Sequence, residues 1–141
     1  MKTRVLILCT GNSCRSQMAE GVLKYYGHDK FDVESAGSKP SKVNEIAVKV
    51  MDEIGIDIST QRSKSVKEFL NQPFDYVITV CDQAKESCPV FPGIAKRLHW
   101  FFPDPPHQSE MSEEVLNEFR RIRDMIHKKF KKAASVGIEN A

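Results

Sequence analysis

The sequence from Val5 to Ser16 reads Val-Leu-Ile-Leu-Cys-Thr-Gly-Asn-Ser-Cys-Arg-Ser. Four apolar residues lead into a short polar loop that contains a glycine, and the apolar positions beyond Ser16 repeat with helical spacing. An uninterrupted apolar run is typical of a strand that is covered on both faces in a parallel sheet. We therefore predict a strand that ends at Cys9, a tight loop, and a helix that starts at Ser16 and stops at Gly27.

The rest of the chain repeats this alternation of short apolar runs with amphipathic helical patterns. Helix caps at Ser65 and Ser112 and a stop signal at Gly55 mark the ends of the helical patterns. The predicted strands cover residues 31–36, 76–80 and 97–101, and the predicted helices cover residues 46–54, 65–70 and 112–130. This order predicts an α/β fold with four parallel strands and helices on both faces of the sheet.

Length and composition indicate one domain that covers residues 1–141. A chain of 141 residues, of which 40% are hydrophobic, is long enough for one buried core and too short for two ordinary domains. The apolar run of residues 5–8 is far shorter than a signal-peptide core or a membrane span. A net charge of +2 is too small to indicate nucleic acid binding. We expect a cytoplasmic monomer that binds neither membranes nor nucleic acid.

The loop after the first strand has the features of an oxyanion site. Backbone N–H groups and the positive end of the helix dipole converge there, and Gly11 lets the backbone turn. The same field favours the thiolate form of Cys9, which makes Cys9 a candidate nucleophile. Arg15 offers a planar fork of donors for two oxygens of a tetrahedral anion, and Ser16 can donate a hydrogen bond to the thiolate. The predicted oxyanion-binding residues are Thr10, Gly11, Asn12, Ser13, Cys14, Arg15 and Ser16.

The same stretch can also be a Gly-Asn turn between a strand and a helix, with Cys9 and Cys14 packed as small buried residues. Short motifs often match by accident. Here the strand before the loop, the helix after it and the spacing from Cys9 to Arg15 all agree with an anion site, which favours the functional interpretation. In a reducing compartment, four cysteines indicate catalysis, redox activity or metal binding rather than a permanent disulfide framework.

Residues 9–20 resemble the phosphate-binding loop of the low-molecular-weight tyrosine phosphatase fold, in the version found in thioredoxin-coupled arsenate reductases. Further matches follow in the same order along nearly the whole chain, and they are Glu34-Ser35-Ala36-Gly37, Gly55-Ile56-Asp57-Ile58-Ser59, Val80-Cys81-Asp82, Cys88-Pro89, His99-Trp100 and Asp104-Pro105. The resemblance implies a parallel sheet in the order 2-1-3-4 with the loop at its carboxyl edge. It also implies that Cys9 attacks arsenate, that Arg15 and the loop N–H groups hold the oxygens, and that Asp104 protonates the departing oxygen.

The resemblance assigns the redox chemistry to two further thiols. Cys81 would attack the Cys9 adduct and release arsenite, and Cys88 would then attack Cys81. Reduced thioredoxin would be the electron donor, with no bound cofactor, and Cys14 would stay outside the relay. If residues 81–88 were helical, their end Cα atoms would lie about 10 Å apart, beyond the roughly 7 Å limit for a disulfide. The segment must therefore rearrange, and we predict a looped-out Cys81–Cys88 disulfide that is accessible to thioredoxin.

Two other interpretations stay open at this point, and a third, zinc binding, is disfavoured. A tyrosine phosphatase would share Cys9, Arg15 and Asp104, although Pro106 and His107 follow where that branch places aromatic residues. A phosphocarrier or sensor would hold phosphate on Cys9 and would have no use for a second cysteine pair. Zinc is disfavoured because the cysteine spacings depart from the usual paired pattern and no histidine lies at ligand spacing. We predict no metal site.

Asn12, Glu20 and Ser35 resemble positions that form an oxygen-rich site in some members of the family, in some cases for a monovalent cation. Lys64 lies where a further acidic ligand is expected, and its ammonium group opposes a cation. We therefore predict that these residues support the loop through hydrogen bonds rather than bind potassium.

Overall fold

Four parallel strands form one sheet in the computed structural model, which describes residues 2–82, 88–106 and 110–141. The strands are β1 (Thr3–Cys9), β2 (Phe31–Gly37), β3 (Tyr76–Thr79) and β4 (Lys96–His99). Their order in the sheet is β2-β1-β3-β4, and each neighbouring pair is parallel. The predicted fold class and strand order are confirmed.

The α-helices are α1 (Arg15–Gly27), α2 (Glu45–Asp52) and α3 (Glu113–Val136), and two 3-10 helices cover Val66–Phe69 and Ile138–Asn140. Asn44 caps α2 by accepting hydrogen bonds from two backbone N–H groups, and Ser112 caps α3 by accepting one. These side-chain oxygens satisfy N–H groups that have no partner inside the helix. Within the described residues, no side chain caps α1. None of the described helices is both long and apolar enough to span a membrane.

Some element ends differ from the prediction because tertiary contacts decide them. Gly27 is the last residue of α1 rather than a left-handed stop, and a Cβ there would lie 2.7 Å from the Phe31 ring. Close packing of α1 on the start of β2 therefore requires a glycine. The last strand starts one residue earlier than predicted and ends before Trp100, although the Trp100 N–H still donates to Thr79 O at 2.9 Å.

Both faces of the sheet are covered, as the apolar run in β1 predicts. The face that carries Val5 and Ile7 belongs to an apolar cluster with the buried sides of the three α-helices. The face that carries Leu6 and Leu8 packs against the first 3-10 helix and against Phe91. Since these clusters cover both faces of the sheet, the apolar side chains of β1 are buried on either face.

The carboxyl ends of the strands bring distant parts of the chain together. β1 ends at Cys9, Cys81 follows two residues after β3, and Asp104 follows five residues after β4. Parallel strands end at the same edge of a sheet, which is where open α/β folds bind ligands. The predicted site residues therefore share one edge.

Candidate active site

The loop between β1 and α1 is held from outside through its carbonyl oxygens. The segment of residues 39–44 donates three backbone hydrogen bonds to the loop. The donor and acceptor pairs are Lys39 and Thr10 (2.9 Å), Ser41 and Gly11 (3.3 Å), and Asn44 and Ser13 (3.0 Å). In a trans peptide, the N–H of the next residue points away from the carbonyl. The N–H groups of Gly11, Asn12 and Cys14 share peptide units with these three carbonyls and therefore point away from residues 39–44, as an oxyanion site on the inner side of the loop requires.

Asn12 makes the turn of this loop. Its φ is 47°, in the left-handed region that few residues other than glycine adopt. Asn12 Oδ1 accepts a hydrogen bond from the Lys64 N–H at 2.8 Å, and Nδ2 donates to Ser16 Oγ at 2.7 Å and to Ser35 Oγ at 2.9 Å. The sequence predicts the turning role for Gly11, but a Cβ at Gly11 would come no closer than 3.5 Å to its nearest neighbour. That expectation is wrong, because the buried side-chain bonds hold Asn12 in the turn.

Gly37 is a part of the site that the sequence pattern alone does not explain. Gly37 pairs with Cys9 where β2 and β1 end. A Cβ at Gly37 would lie 2.5 Å from Thr10 O and 2.9 Å from Asn12 N. These are backbone atoms that cannot rotate away, so only a glycine allows the loop to cross the end of β2.

The sulfur of Cys9 is buried at the end of β1. Cys9 is 3% exposed, and its Sγ lies 2.8 Å from Ser16 Oγ. Asn12 Nδ2 already donates to Ser16 Oγ, so the Ser16 hydroxyl keeps its own proton for the sulfur. The predicted contact between Ser16 and the nucleophile is present, and its geometry suits donation to a thiolate.

A buried network of polar side chains lies behind the loop. Ser35 Oγ donates to Glu20 Oε1 at 2.5 Å, and Lys64 Nζ lies 3.3 Å from the same oxygen. Lys64 Nζ also lies 3.5 Å from Glu34 Oε1, and the Lys64 side chain is only 6% exposed. The ammonium group thus lies between two carboxylates and already supplies them with a positive charge. This geometry favours the predicted hydrogen-bonded support over potassium binding.

Gln17 is a second supporting residue, and the sequence pattern assigned it no role. It is fully buried, and its Nε2 donates to Asn12 Oδ1 at 2.9 Å and to Arg62 O at 2.9 Å. Gln61 Nε2 donates to Gln17 Oε1 at 2.8 Å. Gln17 therefore ties the loop to residues 61–62. Its position as an amide in the first turn of α1, directly after the loop, is the signal that could have identified it.

Arg15 and Asp104 meet at the loop. Arg15 Nη2 lies 3.3 Å from Asp104 Oδ1, and Nη1 donates to Phe102 O at 3.2 Å. The Arg15 side chain is 4% exposed and that of Asp104 is 38% exposed. The Phe102 N–H donates to Val80 O at 3.2 Å, which holds the segment after β4 against the segment after β3. The predicted acid and the predicted anion-binding arginine are therefore in direct contact.

Cys81 and Cys88 form a disulfide with their Cα atoms 6.0 Å apart, a usual separation. Cys81 has no exposed surface, whereas Cys88 is half-buried. Cys81 Sγ lies 3.9 Å from Leu8 O, and because a disulfide sulfur has no proton this is a packing contact. Cys81 thus packs against the residue that precedes Cys9. The predicted loop over residues 83–87 lies outside the described residues.

Cys14 is a free cysteine with 3% exposure. Burial raises the pKa of the Cys14 thiol to about 12, although Ser13 Oγ donates a hydrogen bond to its sulfur at 3.6 Å. A thiol with this pKa stays protonated at neutral pH and is a poor nucleophile. This property agrees with the prediction that Cys14 takes no part in the relay.

Among residues 2–82, 88–106 and 110–141, no three His, Cys, Asp or Glu side chains are grouped so that they could hold a metal ion. His107, which enters the comparison with tyrosine phosphatases, lies outside the described residues.

The family is decided by sequence similarity over almost the whole chain. The low molecular weight phosphotyrosine protein phosphatase family matches residues 4–139. The chain belongs to this family. One relative, an arsenate reductase of Halalkalibacterium halodurans, is 48% identical over 136 residues, which are 96% of this chain and 98% of the relative.

Solved structures that are similar to this protein include arsenate reductases. An arsenate reductase in the phosphate binding state superposes with a TM-score of 0.75 at 33% identity, over 96% of this chain and 98% of that chain. A thioredoxin-dependent arsenate reductase of Corynebacterium glutamicum has a TM-score of 0.66 at 26% identity, over 96% of this chain and 63% of that chain.

Proposed function

We propose that this protein reduces arsenate to arsenite at Cys9, through a thiol relay with Cys81 and Cys88 that thioredoxin returns to the reduced state. The proposal depends on the Cys81–Cys88 disulfide at the sheet edge that carries the oxyanion loop. A phosphatase that only transfers and hydrolyses phosphate needs no second cysteine pair. The relatives named arsenate reductase support the same conclusion.

In the first step, the Cys9 thiolate attacks As(V), a sulfur–arsenic bond forms, and one oxygen leaves as water. The N–H groups of residues 10–16 and the Arg15 guanidinium hold the remaining oxygens. In the structure the Asp104 carboxylate contacts Arg15. When arsenate binds, one of its oxygens takes the place of that carboxylate on Arg15. Asp104 then lies beside the departing oxygen and gives it a proton.

Reduction follows when the Cys81 thiolate attacks Cys9 Sγ. A sulfur–sulfur bond forms, the sulfur–arsenic bond breaks, and its electron pair stays on arsenic, which leaves as arsenite. Two thiols have supplied two electrons. Arsenic(V) accepts this pair, whereas phosphorus(V) in practice does not, so the second thiol separates reduction from phosphate transfer.

The relay continues when the Cys88 thiolate attacks Cys81 Sγ and Cys9 leaves as a thiolate. The resulting Cys81–Cys88 disulfide is the state of the two residues in this structure. A thioredoxin thiolate reaches Cys88 Sγ more readily than Cys81 Sγ, because Cys81 is completely buried. We propose further that the protein is a monomer and that it binds no cofactor. We place it in the cytoplasm, because thioredoxin is a cytoplasmic reductant.

A coupled assay tests the proposal. Arsenate-dependent oxidation of NADPH is expected in the presence of thioredoxin and thioredoxin reductase, and Cys9→Ser, Cys81→Ser and Cys88→Ser should each abolish it. Cys14→Ser is the matched control and should keep it. Full turnover in Cys88→Ser would rule out the relay.

An aryl phosphate in a parallel reaction tests the alternative functions. Release of phenol without any arsenate-dependent NADPH oxidation would identify the protein as a tyrosine phosphatase, which its family allows. A stable phosphocysteine with neither activity would identify a phosphocarrier or sensor.

A further inference from the structure

The chain that follows Cys88 is tied to β4 by one side chain. Arg97, on β4, donates guanidinium hydrogen bonds to the backbone carbonyl of Phe91, to that of Gly93 at 2.7 Å and to that of Ala95 at 3.3 Å. A guanidinium group has five donors in a planar fork, so it can hold several carbonyls at once. Residues 91–95 therefore form a loop that closes onto the start of β4, and we call it the anchor loop.

Phe91 fixes the anchor loop from its other side. The Phe91 side chain is 2% exposed and packs edge to face on Phe74, with ring centroids 5.6 Å apart. Both rings belong to the apolar cluster under Leu6 and Leu8. A Cβ at Gly93 would lie 2.8 Å from Phe91 Cζ, so a glycine is required where the loop folds over this ring. The anchor loop is thus held by side-chain packing and by hydrogen bonds.

The anchor loop limits how far Cys88 can move. Phe91 follows Cys88 by three residues, and three extended residues span about 10 Å. If Arg97 no longer held the carbonyls of the anchor loop, only the packing of Phe91 would keep the loop in place. Once Phe91 left the apolar cluster, the next fixed point would be Lys96 at the start of β4, eight residues after Cys88, and that length spans about 27 Å. The shorter reach confines the Cys88 thiol to a smaller volume around its fixed point, so it meets Cys81 at a higher effective concentration.

We propose that Arg97 is a positioning residue for the second exchange of the relay, in which Cys88 attacks Cys81. This inference rests on the proposed function, because it requires the relay. In the exchange, a bond forms between Cys88 Sγ and Cys81 Sγ, the Cys9–Cys81 bond breaks, and Cys9 leaves as a thiolate, so no electrons are gained or lost overall. Arg97 acts on backbone carbonyls and through them on the position of Cys88.

The substitution Arg97→Met keeps the apolar stem and removes the donors. We expect the exchange to slow about tenfold, as the effective concentration of Cys88 falls. The lower effective concentration also makes the reduction potential of the Cys81–Cys88 disulfide less negative by about 30 mV, which corresponds to a tenfold change in the equilibrium constant of a two-electron couple. Release of the first arsenite should keep its rate, because it precedes the exchange.

Both effects can be measured directly. Single turnover in the absence of reductant is quenched with acid, and the free thiols are alkylated and located by mass spectrometry. In Arg97→Met, a Cys9–Cys81 disulfide should accumulate that the unmodified protein passes through quickly. The potential is measured by equilibration with dithiothreitol buffers in the absence of arsenate.

Three further variants separate positioning from general damage to the fold. Lys96→Met removes a neighbouring cation that pairs with Glu139 rather than with the loop, and it should change neither quantity. Arg97→Lys should have an exchange rate and a potential between those of the unmodified protein and those of Arg97→Met, because one ammonium group cannot hold three carbonyls. Gly93→Ala displaces the Phe91 ring and should also slow the exchange. It therefore serves as the test if Arg97→Met does not fold.

An unchanged exchange rate and an unchanged potential in folded Arg97→Met or folded Gly93→Ala would overturn the inference. If the unmodified protein released no arsenite, the proposed function would fail instead. The disulfide potential of the variants, which needs no arsenate, would still decide whether Arg97 positions Cys88.

Discussion

Ser16 is the side chain through which the loop acts on the sulfur of Cys9. Its hydroxyl lies 2.8 Å from Cys9 Sγ and is oriented by Asn12. A hydrogen bond to the charged form of a group favours that form. We therefore expect Ser16→Ala to lower the rate of Cys9 alkylation by iodoacetamide at pH 7 about tenfold.

Ser13→Ala is the matched control for this measurement. The Ser13 hydroxyl belongs to the same loop but donates to Cys14 Sγ, so its loss should leave the alkylation rate of Cys9 nearly unchanged. Equal rates for Ser16→Ala and the unmodified protein would contradict this role of Ser16.

At this scale, residue type indicated a candidate chemistry but did not predict the backbone conformation. Cys9, Arg15 and Ser16 were recognisable because thiolate, guanidinium and hydroxyl groups have defined uses at a helix N-terminus. The turn was assigned to Gly11 although Asn12 makes it. The reason is that the left-handed conformation of Asn12 depends on partners far away in the sequence, such as Ser35 and Lys64.

The junction between β2 and the loop depends on Gly37. Gly37→Ala would place a Cβ 2.5 Å from Thr10 O, and the loop would have to move. We expect calorimetry to show that phosphate and arsenate no longer bind, while the melting temperature falls only slightly. Gly11→Ala, whose Cβ has room, is the control and should keep binding. Binding by Gly37→Ala comparable to that of the unmodified protein would contradict this account of the loop.

The helices α2 and α3 are joined by a charged cluster around Glu53. Arg120 Nη2 lies 2.8 Å from Glu53 Oε2, and Arg123 Nη1 lies 2.8 Å from Oε1. Hydrogen bonds from Arg120 foremost, with those from Arg123, lower the pKa of Glu53 to about 2. A carboxyl group with a lowered pKa stabilises the fold above its unfolded pKa, near 4.5, and this contribution is lost as the pH falls towards 2.

We expect Glu53→Gln to lower the free energy of unfolding at pH 7 by about 1 kcal/mol, since solvent screens a partly exposed group. The variant should also lose less stability than the unmodified protein between pH 4.5 and 2. Urea unfolding at several pH values measures both effects. Glu118→Gln removes a pair with Arg121 inside α3 and should have a smaller effect. Parallel pH curves for Glu53→Gln and the unmodified protein would contradict the assignment.

For the whole molecule, the relay predicts a defined end state. Reduced protein without a reductant should release one arsenite per chain and stop with Cys9 and Cys14 as its free thiols, as in this structure. Alkylation and mass spectrometry count the thiols and locate the disulfide. A final Cys9–Cys81 disulfide with free Cys88 would show that the second exchange does not occur.

The strand, the loop and the helix around residues 5–16 follow from local sequence, because apolar periodicity and loop chemistry are properties of neighbouring residues. The parallel sheet follows from the alternation of elements, and its order followed from the resemblance to a known family. The elements and the parallel sheet need only the chain itself, whereas the strand order needs knowledge of related proteins.

Contacts between residues far apart in the chain arise only in the folded molecule. The pairing of Arg15 with Asp104, the approach of Gly37 to the loop and the grip of Arg97 on residues 91–95 depend on how the strands meet at one edge. Hydrogen bonds to backbone carbonyls leave no trace in the identity of the acceptor residue, because every residue carries the same carbonyl group. For that reason the sequence could indicate the candidate chemistry of the site, whereas the contacts that hold the site together appear only in the tertiary structure.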